Sequence, residues 1–179
     1  VENNLEELRE AKGKAIIFAV DRILDYLLDA GIEPDFVVTI DGKKPIKYFS
    51  RREDIKVPLI TYLNSNADIL EWHKGRKIVC TQDTFADDIY KETKKTPPFL
   101  VSSGSVAIVA YSACVELGFK RIILVGQDLA FQGMQSHVGG VEETRGVKDS
   151  IYVEGIDGCQ VKSRDDWKSF IRRYEDLIK

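Results

Sequence analysis

The stretch KAIIFAVD, residues 14–21, is a continuous apolar run that ends at an aspartate. A strand with one solvated face alternates apolar and polar residues, whereas a strand of a parallel sheet covered on both faces is apolar throughout. The run therefore predicts a buried strand. Similar apolar runs follow along the chain at residues 35–41, 57–62, 77–81 and 121–125.

Helical stretches separate these runs. Asp21 can cap an amphipathic helix that ends at Gly31, and residues 105–117 predict an apolar helix that Gly118 ends. Strands that alternate with helices predict an α/β fold with a doubly wound, mainly parallel, Rossmann-like sheet.

The character of the chain changes after Gly126. Residues 127–147 are rich in Gly, Gln and Ser, and they predict a long loop that is mobile without ligand. Residues 150–161 predict a small hairpin, and an amphipathic helix from Ser163 follows it. Since neither a repeat nor a linker is found, the sequence predicts a single domain over residues 1–179.

Composition limits the classes of function. The chain has 179 residues, 44% of them hydrophobic, and a net charge of -3, so a basic field for nucleic acid is not expected. No apolar run approaches the roughly 20 residues of a membrane span, and the polar start is not a signal peptide. We therefore predict a cytoplasmic protein without nucleic-acid or membrane partners.

Cysteine and histidine give little sign of a metal centre. The three cysteines are scattered, and Cys80 and Cys114 lie in apolar runs, which indicates buried thiols in a reducing compartment. No histidine stands at ligand spacing from them, so no metal site is predicted. His73, between Trp72 and Lys74, is expected at the surface.

Polar residues follow several predicted strands. Ligands of open parallel sheets bind outside the carboxyl ends of the strands, where Asp21, Asp41, Asn64 and residues 126–128 are expected. Each also has a simpler interpretation. Asp21 could be only a helix cap, Asp41 and Gly42 only a turn, and Gln127 and Asp128 only solvated loop residues.

A second candidate feature is the turn of Ser103, Gly104 and Ser105, which leads directly into the apolar helix. Small residues let backbone approach a ligand, and a helix start offers free N–H groups and the positive end of its dipole. The turn could therefore cradle an anion, or it could be an ordinary N-cap. His137, farther along in the long loop, could be catalytic or inert.

Three ordered motifs resemble a known family. VGQDLA at residues 125–130, followed by His137, looks like the signature of the bacterial motility accessory factor family. PDFVVTID at 34–41 and SGSVA at 103–107 match that family's other two motifs in kind and order. The family's central domain is similar to bacterial sialyltransferases and to archaeal 6-hydroxymethylpterin pyrophosphokinases, so the resemblance implies a sialyltransferase-like variant of the predicted fold.

The resemblance implies transfer of a nonulosonic, sialic-acid-like sugar from its CMP carrier to Ser or Thr of flagellin. Ser103, Gly104 and Ser105 would then hold anionic groups, and Asp21 and Asp41 would bind base or ribose hydroxyls. The remaining nucleotide-binding candidates are Asn64, Gly126 and Gln127, and either Asp128 or His137 would transfer the proton.

Two alternatives remain at this point. The first is a pterin diphosphokinase that uses ATP and Mg²⁺, with Asp41 and Asp128 holding the metal; otherwise no cofactor is expected. The second is a noncatalytic module that positions flagellin or another partner. The family usually carries a Gly-Pro-Ser loop upstream of the first helix, so the chain is expected to be part of a longer protein and to bind nucleotide less tightly than that parent.

Overall fold

The computed structural model describes residues 1–82, 85–101, 104–131, 135–137, 141–142 and 150–178; at residues 2, 85–87, 135–137 and 141–142 only the backbone is described. The helices are α1 Leu5–Ala11, α2 Asp21–Asp29, α3 Ala67–Trp72, α4 Phe85–Thr93, α5 Val106–Glu116 and α6 Asp165–Ile178, with 3-10 turns at Glu2–Asn4 and Ile46–Tyr48. The strands are β1 Phe18–Val20, β2 Phe36–Thr39, β3 Leu59–Tyr62, β4 Lys77–Cys80, β5 Gln135–His137, β6 Val141–Glu142, β7 Ile151–Glu154 and β8 Gln160–Ser163.

The first four strands form one parallel sheet in the order β1-β2-β3-β4. Val38 pairs with Ile60, and Ile60 pairs with Ile78, so the strands run in register and their carboxyl ends lie along one edge. The predicted α/β class with a parallel sheet is confirmed.

Helices cover both faces of this sheet. Val37 and Leu59 pack with Leu24 of α2 and Ile69 of α3 in one buried cluster. The next residue of each strand points the other way, and Val38 and Ile60 pack with Val109 and Ala113 of α5 in a second cluster. Because side chains alternate along a strand, two-sided burial requires the continuous apolar runs of the sequence. The doubly wound arrangement is therefore confirmed.

The predicted strand at residues 121–125 is wrong, because the structure leaves that segment without regular secondary structure. Ile123 is 78% exposed and Leu124 is 43% exposed. Apolar composition favours a strand only where a neighbouring strand completes the hydrogen bonds. Within the described residues, this segment has no such strand pairing.

The C-terminal region contains the predicted hairpin and helix. Strands β7 and β8 pair antiparallel from Ile151–Ser163 to Glu154–Gln160, which confirms the hairpin. In α6, Trp167 and Tyr174 are buried, and the ring of Trp167 lies 4.8 Å from that of Phe131.

Contacts divide the described residues into two compact units. One contains Leu5–Ile122, and the other contains Val1–Asn4 with Ile123–Lys179. The single domain over residues 1–179 stays a prediction. So does the mobility of residues 127–147, about half of which fall outside the described residues. The prediction that this segment is loop throughout is wrong, because β5 and β6 lie in it and pair antiparallel.

Two further expectations concern single residues. Cys80 and Cys114 are buried, as predicted, and burial raises the pKa of each thiol to about 11. The surface position expected for His73 is wrong, since the residue is 1% exposed and its ring meets that of Phe49 edge-on at 5.8 Å. His73 is the C-cap residue of α3 and adopts extended backbone geometry at the helix end. Among the described helices, none combines the length and apolarity that crossing a membrane requires.

Candidate functional site

A cavity of about 440 Å³ opens at the carboxyl edge of the parallel sheet. It lies within the unit formed by Leu5–Ile122. Its walls come from the end of β3, from the segments that follow β2 and β4, and from the start of α5. The lining residues are Ile40, Asp41, Gly42, Lys44, Tyr62, Gln82, Gly104 and Val106.

A buried ion pair fixes one wall of the cavity. The ammonium of Lys44 donates to Oδ2 of Asp21, and their side chains are only 10% and 2% exposed. The hydroxyl of Thr39 donates to the same oxygen at 2.6 Å, and the amide of Arg22 donates to Oδ1 at 2.7 Å. Asp21 therefore holds Lys44 at the edge of the sheet, and whether it also binds ligand stays a prediction.

The alternative that Asp21 is only a helix cap does not fit its position. Val20 occupies the N-cap of α2, Asp21 is the first helical residue, and α2 has no side-chain cap hydrogen bond. Asp21 serves both the helix start and the end of β2, because its Oδ1 accepts the Arg22 amide whereas Thr39 and Lys44 donate to Oδ2.

Asp41 and Gly42 form the turn that the simpler interpretation predicted. Oδ1 of Asp41 accepts the amide of Lys43 at 2.8 Å, which is an Asx-type turn. A Cβ placed on Gly42 would lie 2.7 Å from the carbonyl oxygen of Asn64. Glycine is therefore required for the close approach of these two turns. Asp41 also lines the cavity, so the turn and a binding role are compatible.

The start of α5 faces the same cavity through Gly104 and Val106. Gly104 has a φ of +84°, and Ser105 is the N-cap residue but its side chain makes no cap hydrogen bond. Within the described residues, the first amides of α5 thus have no side-chain cap acceptor, and a helix start of this kind attracts anions. Ser103, predicted to belong to this turn, lies outside the described residues.

The other walls are less polar. Tyr62 is 2% exposed and donates its hydroxyl to the carbonyl of Leu100 at 3.0 Å, so its ring is held in place. Ile40 and Val106 add apolar surface, and Gln82 adds an exposed side-chain amide. A cation, a carboxylate and free amides beside apolar surface suit a small ligand that carries an anionic group.

The remaining candidates belong to the other compact unit. Gly126 has a φ of +69°, and a Cβ placed there would lie 2.5 Å from Cγ2 of Val1. Oε1 of Gln127 accepts the hydroxyl of Tyr174 at 3.4 Å, and Asp128 is exposed. His137 is in β5, and its side chain lies outside the described part of the chain. The roles of these four residues stay predictions.

Leu129, next to Asp128, has an unusual backbone. Its φ is +48°, which is uncommon for a residue other than glycine. The hydroxyl of buried Ser163 donates to the Leu129 carbonyl at 2.6 Å and holds this conformation. This hydrogen bond therefore fixes the backbone beside Asp128. Sequence patterns did not reveal this feature.

Sequence reasoning missed Lys44, Tyr62 and Gln82. Lys44 follows Lys43 in the same turn, and no local pattern distinguishes the buried ammonium from the exposed one. Tyr62 and Gln82 do carry a signal, since the first ends β3 and the second comes two residues after β4. The strand-end rule applied to every strand would have included both.

The cavity's fit to Mg²⁺ depends on Asp41. In the described part of the chain, no three His, Cys, Asp or Glu side chains are grouped to hold a metal. Asp41 is the carboxylate among the lining residues, and the amide of Lys43 donates to its Oδ1. Because Mg²⁺ often combines one or two carboxylates with substrate phosphates, Asp41 fits such an ion when a phosphorylated ligand is bound.

Comparisons with known proteins agree with this architecture. The family model for 6-hydroxymethylpterin diphosphokinase MptE-like proteins matches residues 1–134. The MAf glycosyltransferase structure from Magnetospirillum magneticum AMB-1 matches with a TM-score of 0.69 and 19% sequence identity, which shows a shared fold. That match covers 97% of this chain but 28% of the other, so the chain spans little more than a quarter of that protein. No curated protein matches the chain.

Proposed function

The chain belongs to the 6-hydroxymethylpterin diphosphokinase MptE-like family, and from the cavity at the sheet edge we propose that it binds the phosphate of a nucleotide or nucleotide-sugar for group transfer. The observation that carries this proposal is the buried Lys44–Asp21 pair, which holds an ammonium in a wall of the cavity into which α5 also begins. A fixed ammonium and free helix amides are both groups that bind phosphate.

The charge around the cavity supports an anionic ligand. Arg22 and Lys47 both lie against the ring of Tyr48, at 5.5 and 5.0 Å from its centroid. Farther along α2, Asp29 pairs with Arg51 and Arg52, so those cations are balanced. Arg22 and Lys47 have no carboxylate partner among the described ion pairs, and Arg22 lies in the first turn of α2, which follows β1 at the carboxyl edge where the cavity opens.

The transfer step that we propose first is glycosyl transfer. A CMP-linked nonulosonic sugar would be the donor, and Ser or Thr of flagellin would be the acceptor. The fold match to a glycosyltransferase supports this choice, because it extends over 97% of the chain and thus beyond the part that the family model covers. In this proposal Asp41 binds a hydroxyl of the nucleotide, and Asp128 or His137 accepts the proton from the acceptor hydroxyl.

A second candidate is diphosphate transfer from ATP to a pterin alcohol. The description of the matching family favours it. Asp41 would then hold Mg²⁺, and the metal-binding role of Asp128 stays a prediction. The metal ion would neutralise charge on the phosphates. In both candidates Lys44 and the start of α5 bind phosphate, so the first experiment tests that shared step.

Calorimetric titration of CMP, and separately of ATP with Mg²⁺, tests the proposal with a matched set of variants. The double substitution Asp21→Asn with Lys44→Met removes the ammonium without leaving a buried unpaired charge. We expect affinity to fall about ten- to a hundredfold, because a hydrogen bond to a charged group contributes about 1.5–3 kcal/mol. Lys43→Met is the control, because an exposed charge such as that of Lys43 contributes at most about 1 kcal/mol to binding.

The two candidates give different results. Binding of CMP that is insensitive to a chelator supports glycosyl transfer, whereas binding of ATP that requires Mg²⁺ supports diphosphate transfer. If the unaltered chain binds neither nucleotide, the proposed function is wrong and the noncatalytic alternative is favoured.

A further inference from the structure

Asn66 ties together two turns at the carboxyl edge of the sheet. Its backbone amide donates to the carbonyl of Asp41 at 3.2 Å, and its side-chain Nδ2 donates to the carbonyl of Lys44 at 2.8 Å. The side-chain oxygen accepts the amide of Asp68 at 2.8 Å, so Asn66 also caps α3. Both ends of the segment from Asp41 to Lys44 are therefore fastened to one residue.

The orientation of the Asn66 side-chain amide follows from its neighbours. The Asp68 amide can only donate, and the Lys44 carbonyl can only accept, so reversing the oxygen and nitrogen would break both hydrogen bonds. Asn, Asp and Ser are about equally good at an N-cap. Of these three, only Asn combines the cap acceptor with a second atom that donates. The cap alone therefore does not explain why this position is Asn.

The fastened segment carries a cavity-lining cation. Lys44 reaches back to Asp21, and its ammonium position depends on where its backbone is held. Gly42, in the middle of the segment, lies so close to Asn64 that a Cβ would meet the Asn64 carbonyl at 2.7 Å. The segment is thus packed against the turn before α3 as well as hydrogen-bonded to it.

We propose that Asn66 is a positioning residue for Lys44, which acts by holding the Lys44 carbonyl. Its role is distinct from capping α3. The inference rests on the proposed function only in that Lys44 binds the phosphate of the ligand. The placement of Lys44 can be measured without any ligand.

The experiment separates the two roles of Asn66 by substitution. Asn66→Ser and Asn66→Asp keep an acceptor for the Asp68 amide and lose the donor to Lys44, whereas Asn66→Ala loses both. Reductive methylation followed by mass spectrometry gives the reaction rate of Lys44 relative to exposed Lys43 in each variant of the 179-residue chain. Urea unfolding of the same samples measures how much the cap of α3 contributes to stability.

In the unaltered chain we expect Lys44 to react more slowly than Lys43, because its ammonium is buried in an ion pair. In Asn66→Ser and Asn66→Asp the relative rate of Lys44 should rise about fivefold, which matches the loss of one neutral hydrogen bond. Their unfolding midpoints should fall less than that of Asn66→Ala, because Asn66→Ala loses the cap as well as the hydrogen bond to Lys44. An unchanged Lys44 rate in the two cap-preserving variants would overturn the inference.

Nucleotide titration of the same variants distinguishes failure of the positioning role of Asn66 from failure of the proposed function. If the unaltered chain binds CMP or ATP with Mg²⁺, Asn66→Ser should bind it about fivefold more weakly. Equal affinity of Asn66→Ser and the unaltered chain would contradict the positioning role of Asn66, even if Lys44 is essential for nucleotide binding. If the unaltered chain binds neither nucleotide, the proposed function fails, and the labelling rates still decide whether Asn66 positions Lys44.

Discussion

Lys43 and Lys44 are neighbours with the same side chain and opposite environments. Lys43 is exposed, and only its backbone amide contributes to the Asp41 turn. The ammonium of Lys44 is buried against Asp21. A buried ion pair is weak evidence of stability in itself, but removing one partner leaves the other buried charge without its counter-ion.

We therefore expect Lys44→Met alone to lower the free energy of unfolding by about 3–5 kcal/mol, because Asp21 is left charged and buried. The double variant with Asp21→Asn should recover most of that loss, since the asparagine can still accept from Thr39 and the methionine fills the volume of the lysine stem. Urea unfolding of the single and double variants measures the difference. Equal destabilisation in both would show that the buried charge is not the cause.

A second prediction at the residue scale concerns His73 and the pH dependence of stability. Burial lowers the pKa of its imidazole, a backbone contact with Val57 opposes this, and nearby Lys77 lowers the pKa further. The folded state therefore disfavours the protonated ring, whereas the unfolded chain protonates it near its ordinary pKa of 6.5. Protonation of His73 therefore costs no stability above pH 6.5, and stability is lost as the pH falls from there toward the lowered folded pKa.

The size of this loss is limited by proton linkage to about 1.4 kcal/mol for each pH unit across that interval. Unfolding free energies of the unaltered chain and of His73→Gln, measured at pH 7.5 and 5.5, isolate the contribution of His73. His137→Gln is the control for the other histidine. If His73→Gln shows the same pH dependence as the unaltered chain, the ring does not titrate as expected.

At the scale of elements, the loops at the two edges of the sheet differ in role although both contain a tightly packed glycine. A Cβ on Gly42, at the carboxyl edge, would meet a carbonyl oxygen at 2.7 Å, and one on Gly75, just before β4, would meet the Lys56 carbonyl oxygen at 2.6 Å. Contacts that short force the backbone to move, so either alanine substitution should reduce stability.

Only Gly42→Ala should also weaken nucleotide binding, because the displaced loop contains Asp41 and Lys44, which both line the cavity. Gly75→Ala is a matched control with a similar clash at the opposite edge. Titration of CMP at a temperature where both variants remain folded makes the comparison. Equal loss of affinity in both variants would show that binding follows general stability and not the geometry of this loop.

The elements that sequence patterns predict well are those whose burial is two-sided. The runs that became β1 to β4 are mainly apolar, and the helix from residue 106 is apolar because it packs on the sheet. Residues 121–125 have the same composition without strand pairing in the described residues. Composition therefore predicts the tendency to form a strand, whereas the partner that completes it depends on the rest of the molecule.

The candidate site was predictable to a similar extent. Asp41 and Gly104 were expected at one edge because each follows a strand or opens a helix, and both line the cavity. The ammonium of Lys44 and the donor of Asn66 were not predictable, because each depends on a partner 22 or 23 residues away in sequence. Local patterns contain no information about such pairs.

At the scale of the whole molecule, the question is whether the two compact units fold separately. Both buried clusters of the parallel sheet, from Leu24 to Ala113, lie within residues 5–122, and so does the cavity. In the other unit, Trp167 and Tyr174 are the buried aromatic residues among those described. A unit with so small an interior gains little hydrophobic stabilisation, and domains of this size are marginal alone.

We therefore expect a fragment of residues 5–122 to fold by itself and a fragment of residues 123–179 to remain unfolded. The first should show an α/β circular dichroism spectrum and one cooperative urea transition, because its core is complete. The second should show neither, since it lacks a comparable core. The intact chain provides the reference for both measurements. An unfolded 5–122 fragment, together with a single transition in the intact chain, would instead support one domain over residues 1–179, because the sheet would then depend on contacts with the C-terminal region.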